Sequence, residues 1–152
     1  MTVPRIHHTA ISVSDLEQSL RFYQQGLGLE KLMEGEFAGP WKQLFDGPGD
    51  SLDMTFLGDP GTTGAGILEL ISFKDGAAGP GERPGPSTGF LLISLYLDVD
   101  ACLERLHSLG FEETERVLHD GGQGEVLMAS ARDPDGVLVE LIDAEMGARI
   151  TG

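Results

Sequence analysis

ILELISF, residues 67–73, occurs a second time in this chain as LVELI, residues 138–142. Each copy is a short apolar run with one carboxylate near its middle, Glu69 in the first and Glu140 in the second. Such runs are typical of buried β-strands. A carboxylate inside a buried strand is costly unless a partner satisfies it. Two carboxylates in matching places therefore predict one shared functional site.

The residues around these strands repeat as well. Asp15 in the first half and Asp98 in the second each precede a stripe of apolar side chains at helical spacing. The stripe is Leu16, Leu20 and Tyr23 in the first half and Val99, Leu103 and Leu106 in the second. Extended segments are predicted at 5–13, about 29–37, 41–45 continuing to 56, and 66–73, and again at about 90–97, 113–118, 125–131 and 137–142.

The repeat unit is thus a strand, a helix and three strands. We expect an α+β fold in which two βαβββ repeats form a curved mixed sheet around a cleft, with the helices outside. The Gly- and Pro-rich segment 74–89 has no periodic apolar pattern and is the natural boundary between the halves. We expect one domain over 1–152, with a first module at 1–75, a linker at 76–88 and a second module at 89–145.

The composition excludes several classes of partner. The net charge is −15, from 25 acidic and 10 basic residues, which argues against a nucleic acid or an anionic membrane. No apolar run is long enough to cross a membrane. The N-terminus, interrupted by Pro4 and Arg5, does not look like a signal peptide, so a cytoplasmic protein is expected. A single cysteine, Cys102, excludes an internal disulfide and is expected to be a buried small hydrophobe.

Three motifs carry a resemblance to a known family. They are HTAISVSD at 8–15, FY at 22–23 ahead of GLGL at 26–29, and DPDG at 133–136 running into VEL at 139–141. In this order and spacing they resemble the vicinal oxygen chelate superfamily, which includes glyoxalases, bleomycin resistance proteins and extradiol dioxygenases. The resemblance covers nearly the whole chain.

In the metal-dependent members of that superfamily, four strands each supply one ligand to a divalent ion. The resemblance implies His8, Glu69 and Glu140 as three of these ligands. The remaining one is usually a histidine on the opening strand of the second half. The register that aligns Asp15 with Asp98 puts that position at Leu91, and both neighbouring residues are apolar too, so this ligand is absent.

One imidazole and two carboxylates suit Ni²⁺, Zn²⁺, Mn²⁺, Mg²⁺ or Fe²⁺. With an ion bound, the resemblance implies isomerisation, epimerisation or lyase chemistry next to a carbonyl of a small molecule. Glu69 or Glu140 would move the carbon-bound proton. Without an ion, the glutamates could act as an acid and base pair or simply hydrogen-bond to His8. No nucleotide cofactor is expected, and the resemblance implies a homodimer.

Two other functions remain open at this point. The first is a metal-free protein that binds or sequesters a small molecule, which the leucine at position 91 favours. The second is a ring-cleaving dioxygenase, which needs two histidines and one carboxylate on iron and so lacks one histidine here.

The aromatic residues of the first half supply candidates for a substrate pocket. Phe37, Trp41 and Phe56 lie in predicted strands, where some must be core and others could line a ligand. Leu91 would add an apolar wall where an imidazole usually reaches in. His119 precedes a Gly-rich loop and could reach the cleft.

Overall fold

The structure, a computed structural model, describes residues 4–62, 64–77, 88–120 and 124–145. In chain order, the first half contains β1 (His8–Ser12), α1 (Leu16–Leu20) with a π-helical continuation (Arg21–Gly26), β2 (Glu30–Ala38), α2 (Trp41–Phe45), β3 (Ser51–Gly58) and β4 (Ile67–Phe73). The second half contains β5 (Leu92–Leu97), α3 (Val99–Ser108), β6 (Glu113–Asp120), β7 (Glu125–Arg132) and β8 (Leu138–Asp143).

The strands of the two halves are connected in the same way. One sheet has the order β1-β4-β3-β2 and the other β5-β8-β7-β6. In each, the first strand runs parallel to the last and the remaining pairs are antiparallel. The α+β class and the repeat are confirmed, with the strands divided between two four-stranded mixed sheets. The two strands with a central glutamate, β4 and β8, are interior strands of their sheets.

The chain divides into two compact units. One comprises Met1–Gln24 with Gly28–Gly79, and the other Gln25–Leu27 with Pro80–Gly152. Residues 78–87 of the expected linker lie outside the described residues. The module bounds expected from the sequence therefore stay predictions.

Both long helices begin as the repeat predicts. Asp15 Oδ1 accepts from the backbone N–H of Gln18 at 3.0 Å, and Asp98 Oδ1 accepts from that of Ala101 at 2.9 Å. These are matching N-caps, each satisfying one N–H that the first turn leaves unpaired. Gly110, at a φ of 85°, ends α3 in the left-handed conformation that glycine adopts without strain.

Each sheet packs one face on its own helix. The helix α1 contacts β4, where Leu70 is fully buried and its neighbours Glu69 and Ile71 point to the opposite face of the sheet from Leu70. In the second unit, α3 buries Val99, Cys102, Leu103 and Leu106 near β7 and β8. Burial raises the pKa of the Cys102 thiol to about 11, so this cysteine is the small hydrophobe that the sequence predicts.

Residues 41–45 form a helix, so the prediction of an extended segment there was wrong. Trp41 stacks on Phe45 with ring centroids 5.4 Å apart, and its indole Nε1–H donates to the carbonyl of Phe37 at 3.2 Å. Pro40 precedes the helix, and Asp46 ends it with a φ of 54°. The spacing of the two aromatic residues is helical, which is the signal that the strand interpretation overlooked.

Two strand starts also differ from the sequence analysis. β1 begins at His8 rather than at residue 5, and β5 begins at Leu92 rather than near residue 90. In the described ranges, no helix is both long and apolar enough to cross a membrane.

Candidate functional site

The first unit brings together His8 and Glu69. β1 and β4 are parallel neighbours with Ala10 opposite Glu69, which places His8 one pleat away on the same face of the sheet. The imidazole Nε2 of His8 lies 3.2 Å from Oε2 of Glu69. Glu69 is only 5% exposed, so the imidazole supplies the partner that a buried carboxylate requires.

The electrostatics of this pair favour proton exchange. Burial raises the pKa of Glu69 above its ordinary value, and the nearby His8 and His7 partly oppose that rise. A carboxyl group with a raised pKa exchanges protons more readily near neutral pH than an ordinary surface glutamate does.

Aromatic contacts orient the imidazole. The ring of His8 stacks on Phe56 at a centroid distance of 5.6 Å, and Phe56 lies directly opposite Glu69 across β3 and β4. Nδ1 of His7 lies 2.8 Å from Nδ1 of His8. His7 precedes β1, so the alternation of side chains along the strand does not direct it away from His8.

Glu140 lies in a pocket of the second unit. It is half-buried, with Ser94 opposite on β5 and Ser130 opposite on β7. The pocket has a volume of about 220 Å³. Its lining residues are Leu92, Glu115, Val117, Met128, Ala129, Ser130, Leu138 and Glu140.

Strand register corrects the position that repeats His8. His8 lies opposite Ile67, two positions before Glu69, and Leu92 lies opposite Leu138, two positions before Glu140. The equivalent residue is therefore Leu92 and not Leu91. Aligning the helix caps misplaces it by one position, because the chain between this strand position and the cap is shorter by one residue in the second half. The conclusion that no ligand stands there is unchanged.

The other residues expected to bind substrate are spread over the two units. Phe37 is half-buried on β2, and its neighbour Trp41 contacts Phe45 in α2. Leu91 precedes β5 and is 49% exposed, while His119 is exposed on β6. Neither lines the pocket at Glu140. Phe56 is the member of this set that stacks on His8.

Sequence reasoning missed Glu115, Ser94 and Ser130. Glu115 lies in β6, which is exposed along nearly its whole length and has no alternating apolar pattern. Only the pairing of β6 with β7 shows that it lies opposite Ser130 and shares a face with Glu140. No local signal in the sequence would have found it.

The His8–Glu69 pair fits a divalent ion. Two ligands about 2.1 Å from one tetrahedral ion have donor atoms roughly 3.4 Å from each other. The observed distance of 3.2 Å is close to this value and is also that of a direct hydrogen bond. Imidazole and carboxylate are both common ligands of divalent metals. In the second unit, Leu92 stands where the first unit has His8, so Glu140 is the one potential metal ligand at the matching positions.

A second group of potential ligands lies at the end of α3. His107, Glu112 and Glu113 place three ligand atoms within 4.8 Å of one another, the one such group found in the described part of the chain. The imidazole pairs closely with Glu113 and lies 3.7 Å from Glu112. These three side chains are mostly exposed and form surface ion pairs. Because they could also bind an ion, a metal titration needs a variant that disables this group.

The chain has two four-stranded mixed sheets, and one of them carries His8 beside Glu69. Comparison with known proteins gives the family of the chain. The chain belongs to the Glyoxalase/Bleomycin resistance protein/Dioxygenase superfamily, whose family model matches residues 5–141.

Curated relatives agree with this membership. The chain is 35% identical to the lactoylglutathione lyase-like protein terB of Aspergillus terreus, over 90% of this chain and 74% of that protein. It is 30% identical to a lactoylglutathione lyase of Neisseria meningitidis, over 94% and 93% of the two chains. These relationships indicate a lyase of the glyoxalase type.

Solved structures share the fold. A glyoxalase family protein from Bacillus cereus matches with a TM-score of 0.76 at 21% identity, covering 94% of this chain and 95% of that one. Glyoxalase I of Leishmania major matches with a TM-score of 0.66 at 22% identity, covering 98% and 93%.

Proposed function

We propose that this protein is a divalent-metal-assisted lyase or isomerase that acts next to a carbonyl of a small molecule. The observation that carries the proposal is the buried carboxylate of Glu69 held 3.2 Å from the imidazole of His8. A protein gains nothing in stability from burying a carboxylate, so a site that retains one is a candidate for chemistry.

In this proposal His8 and Glu69 hold the ion, which is Ni²⁺, Zn²⁺, Mn²⁺, Mg²⁺ or Fe²⁺. Glu140 is proposed as a further ligand or as the group that moves the substrate proton. A bound ion would supply Lewis acidity that polarises the carbonyl oxygen. A homodimer is part of the same proposal, and light scattering of the purified protein would test it.

The protein side chains perform the remaining steps. Stacking on Phe56 fixes the plane of the His8 ring and therefore the direction in which Nε2 points, toward Glu69. Glu69 or Glu140 is proposed to accept the proton from carbon and return it to a neighbouring atom. The small pocket at Glu140 would exclude bulk water from one part of the substrate.

The test is a calorimetric titration of tag-free, metal-stripped protein with Ni²⁺, Zn²⁺, Mn²⁺, Mg²⁺ and, without oxygen, Fe²⁺, followed by elemental analysis. We expect one ion per chain in the wild type and in His107→Ala, which disables the group at the end of α3. We expect Glu69→Gln to weaken binding at least about tenfold, since it removes a charged ligand. Failure of every ion to bind, or binding lost in His107→Ala and kept in Glu69→Gln, would refute the metal-dependent function.

A metal-free binding protein is the second candidate, and Leu92 is the observation that favours it. Leu92 stands where the first unit has the potential ligand His8, and its side chain forms part of the apolar lining of the pocket at Glu140. Tight binding of a small molecule by metal-stripped protein, unaffected by Glu140→Gln and without turnover, would support this candidate instead.

A further inference from the structure

The two sheets differ in one cross-strand row. In the first unit, residues directly opposite one another across the four strands are Ala10, Glu69, Phe56 and Met33. In the second, the equivalent row is Ser94, Glu140, Ser130 and Glu115. Residues opposite one another in a sheet point to the same face. Apart from its glutamate, the first row is apolar, whereas every member of the second is polar.

Three members of the polar row line the pocket of the second unit. Glu115, Ser130 and Glu140 form its polar part, and the remaining lining is apolar. Among the residues that the structure describes, these three side chains make no hydrogen bond or ion pair. The pocket therefore offers two carboxylates and a hydroxyl, all able to accept hydrogen bonds, that no other described group satisfies.

Within the described ranges, no positively charged side chain balances these carboxylates. The lining contains neither lysine nor arginine. Arg132 is on the same strand as Ser130, but its Nη1–H donates to the carbonyl of Gly136 at 2.8 Å. The other Lys and Arg side chains in the described ranges, apart from Arg5, are also engaged elsewhere. They are Arg21 with Gln18, Lys31 with Glu34, Lys42 with Asp50, Lys74 with Asp53, Arg105 with Gly26 and Arg116 with Asp100.

We propose that Glu115 is a specificity-determining residue that restricts this pocket to a non-anionic, hydrogen-bond-donating part of the substrate, such as a hydroxyl or an ammonium. Two carboxylates repel an anionic group and attract a donor. The proposal rests on the proposed function and narrows its substrate class. An anionic thiol conjugate such as a glutathione derivative, which the names of the relatives indicate for them, would bind poorly here.

The test compares three probes that differ in charge on one skeleton. They are S-hexylglutathione, its diethyl ester, and the N-acetylated diethyl ester. The first carries two carboxylates and an ammonium, the second only the ammonium, and the third no charge. Binding is measured by calorimetry on wild-type protein, on Glu115→Gln and on Glu104→Gln. Glu104 is exposed on α3 and outside the pocket lining, so its variant reports the effect of bulk charge alone.

We expect the wild type to bind at least one of the two esters at least about tenfold more tightly than S-hexylglutathione. Glu115→Gln should reduce that preference to about threefold or less, and Glu104→Gln should preserve it. If the N-acetylated diethyl ester binds as tightly as the diethyl ester with its ammonium, the recognised donor is neutral. If only the diethyl ester with its ammonium binds, the recognised donor is an ammonium. Equal or tighter binding of S-hexylglutathione, a preference unchanged in Glu115→Gln, or no binding of either ester at millimolar concentration would overturn the proposal.

Glu115 is exposed, so Glu115→Gln is expected to fold, and circular dichroism would verify this. The measurements are made on metal-stripped and on metal-loaded protein. A charge preference that persists in protein unable to bind any ion would leave this inference standing while the metal-dependent function fails. Metal binding without a charge preference would support the metal-dependent function and overturn this inference.

Discussion

Two opposing effects act on the carboxylate of Glu69. Burial disfavours its charged form, and the adjacent imidazoles favour it, with burial the larger effect. An ordinary strand position would carry an apolar residue here, as Ile67 and Ile71 on either side do. Because a glutamate stands here at a cost to stability, we propose a chemical role for this residue rather than a packing role.

The ion pair at the end of α3 gives a prediction about pH. The hydrogen bond to Glu113 raises the pKa of His107 above 6.5, and the same bond lowers the pKa of Glu113. The histidine contributes stability that is full below its unfolded pKa and is lost as the pH rises through its folded pKa. The glutamate contributes stability that is present above its unfolded pKa and is lost as the pH falls through its folded one. The pair is therefore strongest between these two folded pKa values.

In Glu113→Gln we expect the pKa of His107 to fall toward 6.5, measured by NMR titration of the imidazole protons. Glu112 remains nearby, so part of the rise should persist. Glu104→Gln on the same helix should leave the titration unchanged. An unaltered His107 pKa in Glu113→Gln would show that the pair does not form in solution.

At the scale of elements, the sequence could predict what local chemistry determines. The caps at Asp15 and Asp98, the apolar stripes of the helices and the two glutamate-bearing strands each depend on residues close together in the chain. The shift by one position between Leu91 and Leu92 could not be predicted, because it depends on which residues of β5 and β8 pair. The same holds for Glu115, because its neighbours across the sheet belong to the later strands β7 and β8 and are distant from it in the chain.

The helix cap offers a test at this scale. Asp98→Ala removes the acceptor for the Ala101 N–H and should lower the free energy of unfolding by about 1 kcal/mol. Asp98→Ser keeps a side-chain oxygen at the cap and should retain most of that stability. Urea unfolding monitored by circular dichroism measures both. Equal losses in the two variants would mean that the cap bond does not stabilise α3.

At the scale of the whole molecule, a duplicated strand order carries two different sets of side chains. Both sheets have the same strand order and a glutamate at the same position of the interior strand. The first copy has an imidazole beside its glutamate, whereas the second has Leu92 in the matching position and Ser94 and Ser130 opposite its glutamate. In the two proposals, the first copy supplies His8 and Glu69 to the ion, and the second supplies Glu140 and the pocket that discriminates between substrates.

The central claim is tested most directly by locating the ion. Crystals of the protein loaded with Mn²⁺ or Zn²⁺ would be measured at the absorption edge of the metal. We predict an anomalous peak at about 2.0–2.3 Å from both Nε2 of His8 and a carboxylate oxygen of Glu69. A peak found only among His107, Glu112 and Glu113, or no peak beside Glu69 at full loading, would contradict it.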